Sequence, residues 1–272
     1  MTPKAIKIFF ALFLLFVICF SFGTDPAKTK KGGFASDESS YFSIMQSLAY
    51  DGDLRYDRAD IVRIRKDFYA GPTGIFLRQA GDGRLFFAKS FAYPLAAAPF
   101  YRLFGTHGIL LASGLMIFFT LLMGFLLLRQ HHEPRKSFFF TLSYLFGSII
   151  FIYIWWITAD LFNFFVNFAG LFFFFYRFKK PAWNGLAGLF FALAVFSKPN
   201  NALHIGILFL LLLYQKKWRQ FLATALVGLL VLSGLLYFIY AQTGTVNFMG
   251  GERRSFYGNY PLERPDFTFS GG

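Results

Sequence analysis

Apolar runs dominate the chain, at roughly 5–23, 107–128, 137–157, 161–176, 182–197, 202–214 and 219–240. Polar residues gather mainly in two stretches, about 24–106 and 242–272. A helix that crosses a bilayer needs about 20 apolar residues. The first, second, third and seventh runs meet that length, whereas the fourth to sixth are short enough to need tilt, snorkelling ends or a re-entrant path. The pattern predicts an all-α polytopic membrane protein of about seven transmembrane helices. A large first extracytoplasmic loop carries interfacial helices. The expected divisions are a first span (1–23), the loop (24–106), a six-helix bundle (107–241) and an extracytoplasmic tail (242–272).

Inside the long loop, Lys28–Gly33 reads as a flexible basic linker. From Ser36 to Tyr50 the apolar positions fall at 41/42, 44/45 and 48/49, a helical period. Ser36 suits the N-cap, and Asp37 and Glu38 suit the first turn. The expected product is an amphipathic helix on the outer membrane face, ended by Asp51-Gly52-Asp53. Residues 54–86 read as irregular, with turns at Gly71–Gly74 and Gly81–Gly83. The stretch Phe86–Phe104 is apolar but holds Lys89, Pro94, Pro99 and Arg102, so it is expected as a second interfacial helix rather than a span.

Composition agrees with the pattern. Of 272 residues, 42 are Phe, 56% are hydrophobic and 15% are charged, against about 25% charged in ordinary soluble domains. Mean hydropathy is +0.49. One cysteine, Cys19, excludes a disulfide framework. The first run follows Lys4 and Lys7 as a signal peptide would. However, no small-x-small site follows Phe22, and Phe-Val-Ile before Cys19 is a poor lipoprotein signal, so an uncleaved anchor is expected.

The net charge of +13 could suggest nucleic acid until its residues are placed. With the N-terminus cytoplasmic, the short inner segments hold eleven basic residues against one acid, Glu133. That is +10 of the +13, and it orients the chain by the positive-inside rule. The outer face keeps only +3, so no nucleic-acid partner is expected.

Four constellations remain for chemistry. Asp37-Glu38 needs only the helix dipole as its reason, yet a carboxylate at a membrane surface also suits a general base. Asp160, Asn163, Asn167 and Gly170 share one helical face that lipid would not tolerate, so it faces the bundle or a wet cavity. Asparagine packing between helices is the competing reading. Lys198, in Ser197–Asn201, is a base in a short outer turn, placed to bind phosphate or simply to snorkel. Gly250–Arg254, with Phe256, Tyr257 and Tyr260, offers guanidinium forks and aromatic faces, or else a solvated tail. His107, His131, His132 and His204 show no metal spacing. His107 and His204 both lie near outer helix ends, where polar caps are expected. Gly188 and Ala192 form a small-xxx-small pair for helix packing.

The order of these features resembles the GT-C glycosyltransferases, in particular bacterial relatives of dolichyl-phosphate-mannose-protein mannosyltransferases. Asp37–Leu54 matches that family's acidic pair and first loop helix. Lys89–Gly105 looks like its second interfacial helix, and the Asp160 and Lys198 turns fit its layout. The resemblance covers about 1–240 and implies transfer of a sugar from a polyprenyl-phosphate donor to a lipid, glycan or protein acceptor outside an inner (plasma) membrane. It implies Asp37 as catalytic base, with Glu38 and Asp160 supporting acceptor or metal, the cation being Mg or Mn. Lys198 and Arg254 would hold the donor phosphate, and Asn163 and Asn167 would line the cavity. Family members usually continue through further spans, so the chain is expected to be the N-terminal part. A non-enzymatic transporter, an assembly partner or an inactive truncated enzyme are the alternatives.

Overall fold

A computed structural model describes residues 2–29, 33–69, 71–176, 181–246 and 252–271. Lys30, Lys31 and Gly32 of the basic linker lie outside the described residues, as do Gly250 and Gly251 of the tail motif. The chain divides into two compact units, one of 1–19, 113–155 and 160–235, the other of 20–112, 156–159 and 236–272.

The helices follow the hydrophobic pattern closely. Pro3–Gly23 (α1), Thr106–Leu128 (α6) and Trp218–Thr243 (α11) are long and apolar enough to cross a membrane. Short Pro26–Thr29 (α2), Asp37–Tyr50 (α3), Arg58–Asp67 (α4) and Ala92–Phe104 (α5) lie between the first two. Pro134–Phe146 (α7), Ala159–Phe175 (α8), Pro181–Ser197 (α9) and Asn201–Tyr214 (α10) precede α11. The third run, expected as one span over 137–157, is instead broken. α7 stops at Gly147, and a 3₁₀ helix follows at Ile149–Ile154. Glycine ends the first segment, and the Ser148 hydroxyl accepts the Ile150 amide at 3.5 Å to start the next.

In the first unit the helices meet through small residues and rings. A side chain at Gly114 would strike Val17, so α1 lies close on α6. Phe9 meets Phe138 edge-on at 4.9 Å, fixing α7 to α1. Gly170 leaves room for the Phe191 ring, and Phe173 stacks on Phe190 at 5.6 Å, joining α8 to α9. Gly188 faces backbone of Thr224 and Gly228 on α11. The packing pair is therefore Gly188 with Gly228, an approach that only small residues permit.

In the second unit, residues 54–86 form strands and the capped helix α4 where irregular chain was expected. Arg55–Tyr56 (β1), Thr73–Gln79 (β2), Leu85–Phe87 (β3) and Arg253–Tyr257 (β4) make an antiparallel sheet in the order β1-β3-β2-β4. Gly83, at φ 84°, turns the β2–β3 hairpin, with the Ala80 amide on the Arg84 carbonyl at 2.8 Å. Gly74, at φ 85°, makes the irregularity in β2, where a side chain would strike the Tyr257 ring. The long loop and the tail, separate in sequence, are thus one folded body joined by β2–β4.

Helix α3 lies in the core of that body, packed on α5 and β2. Every residue from Ser39 to Ser47 is buried. The helical periodicity is real, but the expected one-sided surface helix is not what forms. Serines and Gln46 are enclosed along with Phe42, Ile44 and Met45, and their hydroxyls are satisfied internally. Ser40 Oγ accepts the Phe76 amide at 3.0 Å, and Ser43 Oγ donates to the Ser39 carbonyl at 2.7 Å. Small polar residues let α5 and the sheet approach where larger ones would not fit. α5 buries Ala92, Tyr93, Pro94, Ala97, Ala98 and Tyr101, and exposes Leu95, Leu103 and Phe104.

Candidate functional site

The first candidate cluster stands at the start of α3. Ser36 occupies the N-cap position as expected but does not cap with its side chain. Its backbone is at φ 53°, and its amide donates to the Thr73 carbonyl at 2.5 Å. Ser39 Oγ donates to the carbonyls of Phe34 and Thr73, the latter at 3.0 Å. The entry to α3 is therefore fixed by β2, which aims the next two carboxylates.

Lys89 Nζ donates to Asp37 Oδ1 at 2.7 Å. The lysine side chain is only 14% exposed and the aspartate 47%. The ammonium also sits 4.7 Å from the Phe76 ring centre. One carboxylate oxygen is thus held by an enclosed cation, and the aspartate side chain stays half-exposed. Glu38 is used differently. Its Oε1 accepts the Ile157 amide at 3.0 Å, which ties residues 156–159 to α3. That segment runs directly into α8.

The second cluster belongs to the helical unit. Asp160 lies in the first turn of α8, with Asn163 and Asn167 one and two turns on. Lys198 in the α9–α10 turn, Asn201 and His204 present a matching row. Lys198 Nζ is ion-paired with Asp160 Oδ1. Asn201 Nδ2 donates to Asn163 Oδ1 at 2.7 Å and to the Ala194 carbonyl at 2.8 Å. His204 Nε2 lies 2.8 Å from Asn167 Oδ1. Asn167 Nδ2 donates to the Asn163 carbonyl at 2.8 Å, so its Oδ1 is the acceptor and His204 carries the proton on Nε2. Three rungs join α8 to the α9–α10 turn and α10, and the polar face that lipid would reject is turned onto polar partners. Gly170, on the same face, serves packing under Phe191.

Sequence reasoning missed Lys89 as the partner of Asp37, and Asn201 and His204 as partners of the asparagines. The spacing held a signal for the latter: 198, 201 and 204 recur at a helical interval like 160, 163 and 167. Nothing local linked Lys89 to Asp37, because 52 residues separate them.

Arg254 lies on β4 and donates to the Ser270 carbonyl at 2.8 Å, with its guanidinium over the Phe269 ring. It anchors the end of the tail in this structure. His107 Nδ1 contacts the carbonyls of Ser21 and Thr24 at 3.0 and 2.9 Å, a polar cap as expected. Among the described residues no three His, Cys, Asp or Glu side chains are grouped to hold a metal ion. Asp160 Oδ1 already carries the Lys198 ammonium.

This is an ArnT-like polytopic membrane fold. The chain is similar to ArnT from Cupriavidus metallidurans, solved as a crystal structure bound to undecaprenyl phosphate. The TM-score is 0.63 at 17% identity, over 89% of this chain and 43% of that one. The chain thus spans less than half the length of that protein. No protein-family model and no curated protein matches it.

Proposed function

We propose that the chain serves transfer of a sugar from a polyprenyl-phosphate donor to an acceptor at the extracytoplasmic face of the inner membrane. The observation that carries this reading is the fold shared with a protein solved with undecaprenyl phosphate bound. The N-terminus is cytoplasmic and the 24–106 loop extracytoplasmic, as the basic inner loops require.

Asp37 is the base. Lys89 orients Oδ1, and Oδ2 takes the proton from an acceptor hydroxyl as that oxygen attacks the sugar's anomeric carbon. The polyprenyl phosphate departs with the electrons of the broken glycosidic bond. Glu38 positions α3 through Ile157. An ammonium has three N–H donors, so Lys198 can keep Asp160 and still give two to a phosphate. Asp160 aims that lysine, and Asn163 and Asn167 line the polar wall. Arg254 spends one guanidinium nitrogen on the tail carbonyls and keeps N–H donors for a phosphate.

The test uses purified protein and a polyprenyl-phosphate sugar labelled in the sugar, with membrane extract as acceptor. Label should move to a product with wild type and fail to move with Asp37→Asn, while the variant still binds the donor. Full transfer by Asp37→Asn would remove the base. Donor binding without any covalent product in wild type would select a carrier instead.

A further inference from the structure

A further polar feature, apart from the Asp37 and Asp160 clusters, lies in the sheet-bearing unit. Strand β1, the first residue of α4, the β2–β3 turn and the tail segment 261–269 enclose an open cleft of about 860 Å³. Four guanidinium groups line it: Arg55, Arg58, Arg84 and Arg264. Two carboxylates line it as well, and both are already engaged. Asp82 holds Arg84 at 2.6 Å, and Glu263 holds Arg65 at 2.7 Å. Arg55 and Arg58 have no ion-pair partner among the described residues, and Arg264 meets only the Phe267 ring. All three are exposed.

The walls of the cleft are firmly held. Tyr56 Oη donates to the Pro261 carbonyl at 3.0 Å, and Tyr260 Oη donates to the Pro72 carbonyl. The Arg65–Glu263 pair and the Arg254–Ser270 bond pin the segment on either side of the turn at 264–267. Three unneutralised guanidinium groups are therefore kept on separate, anchored elements around one space. Like charges facing a common cavity repel one another, and an anion between them relieves that repulsion. Guanidinium forks match the oxygens of phosphate in pairs. The cleft is larger than one phosphate, and Phe267 and Phe269 give it apolar wall.

We infer that this cleft binds a multiply charged, phosphate-bearing ligand at a site separate in its residues from the Asp37 and Asp160 clusters. The ligand comes either from solution or as a lipid headgroup, and the chemistry recognised is the same.

Isothermal titration of the detergent-purified chain with inorganic pyrophosphate, and flotation with phosphatidic acid vesicles read against phosphatidylcholine vesicles, distinguish the two sources. The double variant Arg55→Gln/Arg58→Gln should weaken the relevant binding about tenfold or more, since charge-assisted hydrogen bonds are lost. Arg264→Gln should weaken it too, and it lies in the tail turn rather than on β1 or α4, so a folding defect in the double variant cannot mask the result. Lys28→Gln, elsewhere on the surface, should leave binding unchanged. Loss in titration identifies a soluble ligand, and loss in flotation alone identifies a headgroup. Wild-type binding that neither the double variant nor Arg264→Gln reduces, or no binding to either probe, overturns the proposal. Sugar transfer is not read in any arm, so failure here leaves the transferase reading untouched.

Discussion

Replacing Asp37 by Asn and Lys89 by Gln, singly and together, separates the chemistry of the α3 carboxylate from its packing. The two groups lie 2.7 Å apart, with the lysine 14% and the aspartate 47% exposed. Fully exposed pairs contribute about 0.2–1 kcal/mol, and breaking a buried pair costs about 3–5 kcal/mol. A half-enclosed pair should fall near the lower range, with a coupling of about 1 kcal/mol. Asp37→Asn should cost somewhat more than Lys89→Gln, because it leaves an enclosed ammonium with a neutral acceptor and the Phe76 ring but no compensating charge. For a chain of this size 1 kcal/mol moves the melting temperature by about 2–4 °C. Thermal unfolding of all four proteins in one detergent measures the cycle. Transfer should behave differently: loss of a general base costs about 10²–10⁴-fold. Asp37→Asn should therefore be inactive, whereas Lys89→Gln keeps the carboxylate and most of the rate. Strictly additive melting shifts would refute the ion pair. A Lys89→Gln protein as inactive as Asp37→Asn would refute a merely orienting role for the lysine.

Three further predictions follow from the packing. Burial raises the Asp60 carboxyl to about 7 in the folded chain, with the Arg63 guanidinium only partly opposing it. Its contribution to stability is complete below about 4 and is lost as pH rises through 7, so Asp60→Asn should flatten the pH dependence of unfolding over that window. Tyr101 Oη donates to Asp67 at 3.0 Å and accepts from buried Gln46 Nε2 at 2.7 Å. Tyr101→Phe should cost about 1–3 kcal/mol in a denaturation measurement, and no loss would show that the Gln46 bond to Asp67, 3.2 Å long, suffices by itself. Gly188→Ala should destabilise by about 1–3 kcal/mol because the new methyl meets α11 backbone, while Gly206→Ala, with open space around it, should be near neutral in the same melt.

Much of the helical fold was legible because hydrophobic runs are a local record of burial. α1, α6 and α11 match their runs to within a few residues. The broken third run was not legible from hydropathy, which does not register that Gly147 and Ser148 end one helix and begin another. The sheet was hidden for a different reason. β1 has two residues and β3 three, too short for an alternating pattern, and β4 lies more than 160 residues beyond β3.

The sequence by itself determined that this is a polytopic membrane chain, which loops are basic, and which few acids and bases are left for chemistry. Those properties are sums over neighbours along the chain. Only the tertiary structure decided the partners: Lys89 for Asp37, the Ile157 amide for Glu38, Lys198 for Asp160, and carbonyls of the tail for Arg254. A charge's role depends on what lies within about 3 Å of it, and that distance is set by packing between distant segments. The same packing turned a serine-rich helix inward and gathered arginines from β1, α4, the β2–β3 turn and the tail around one cleft.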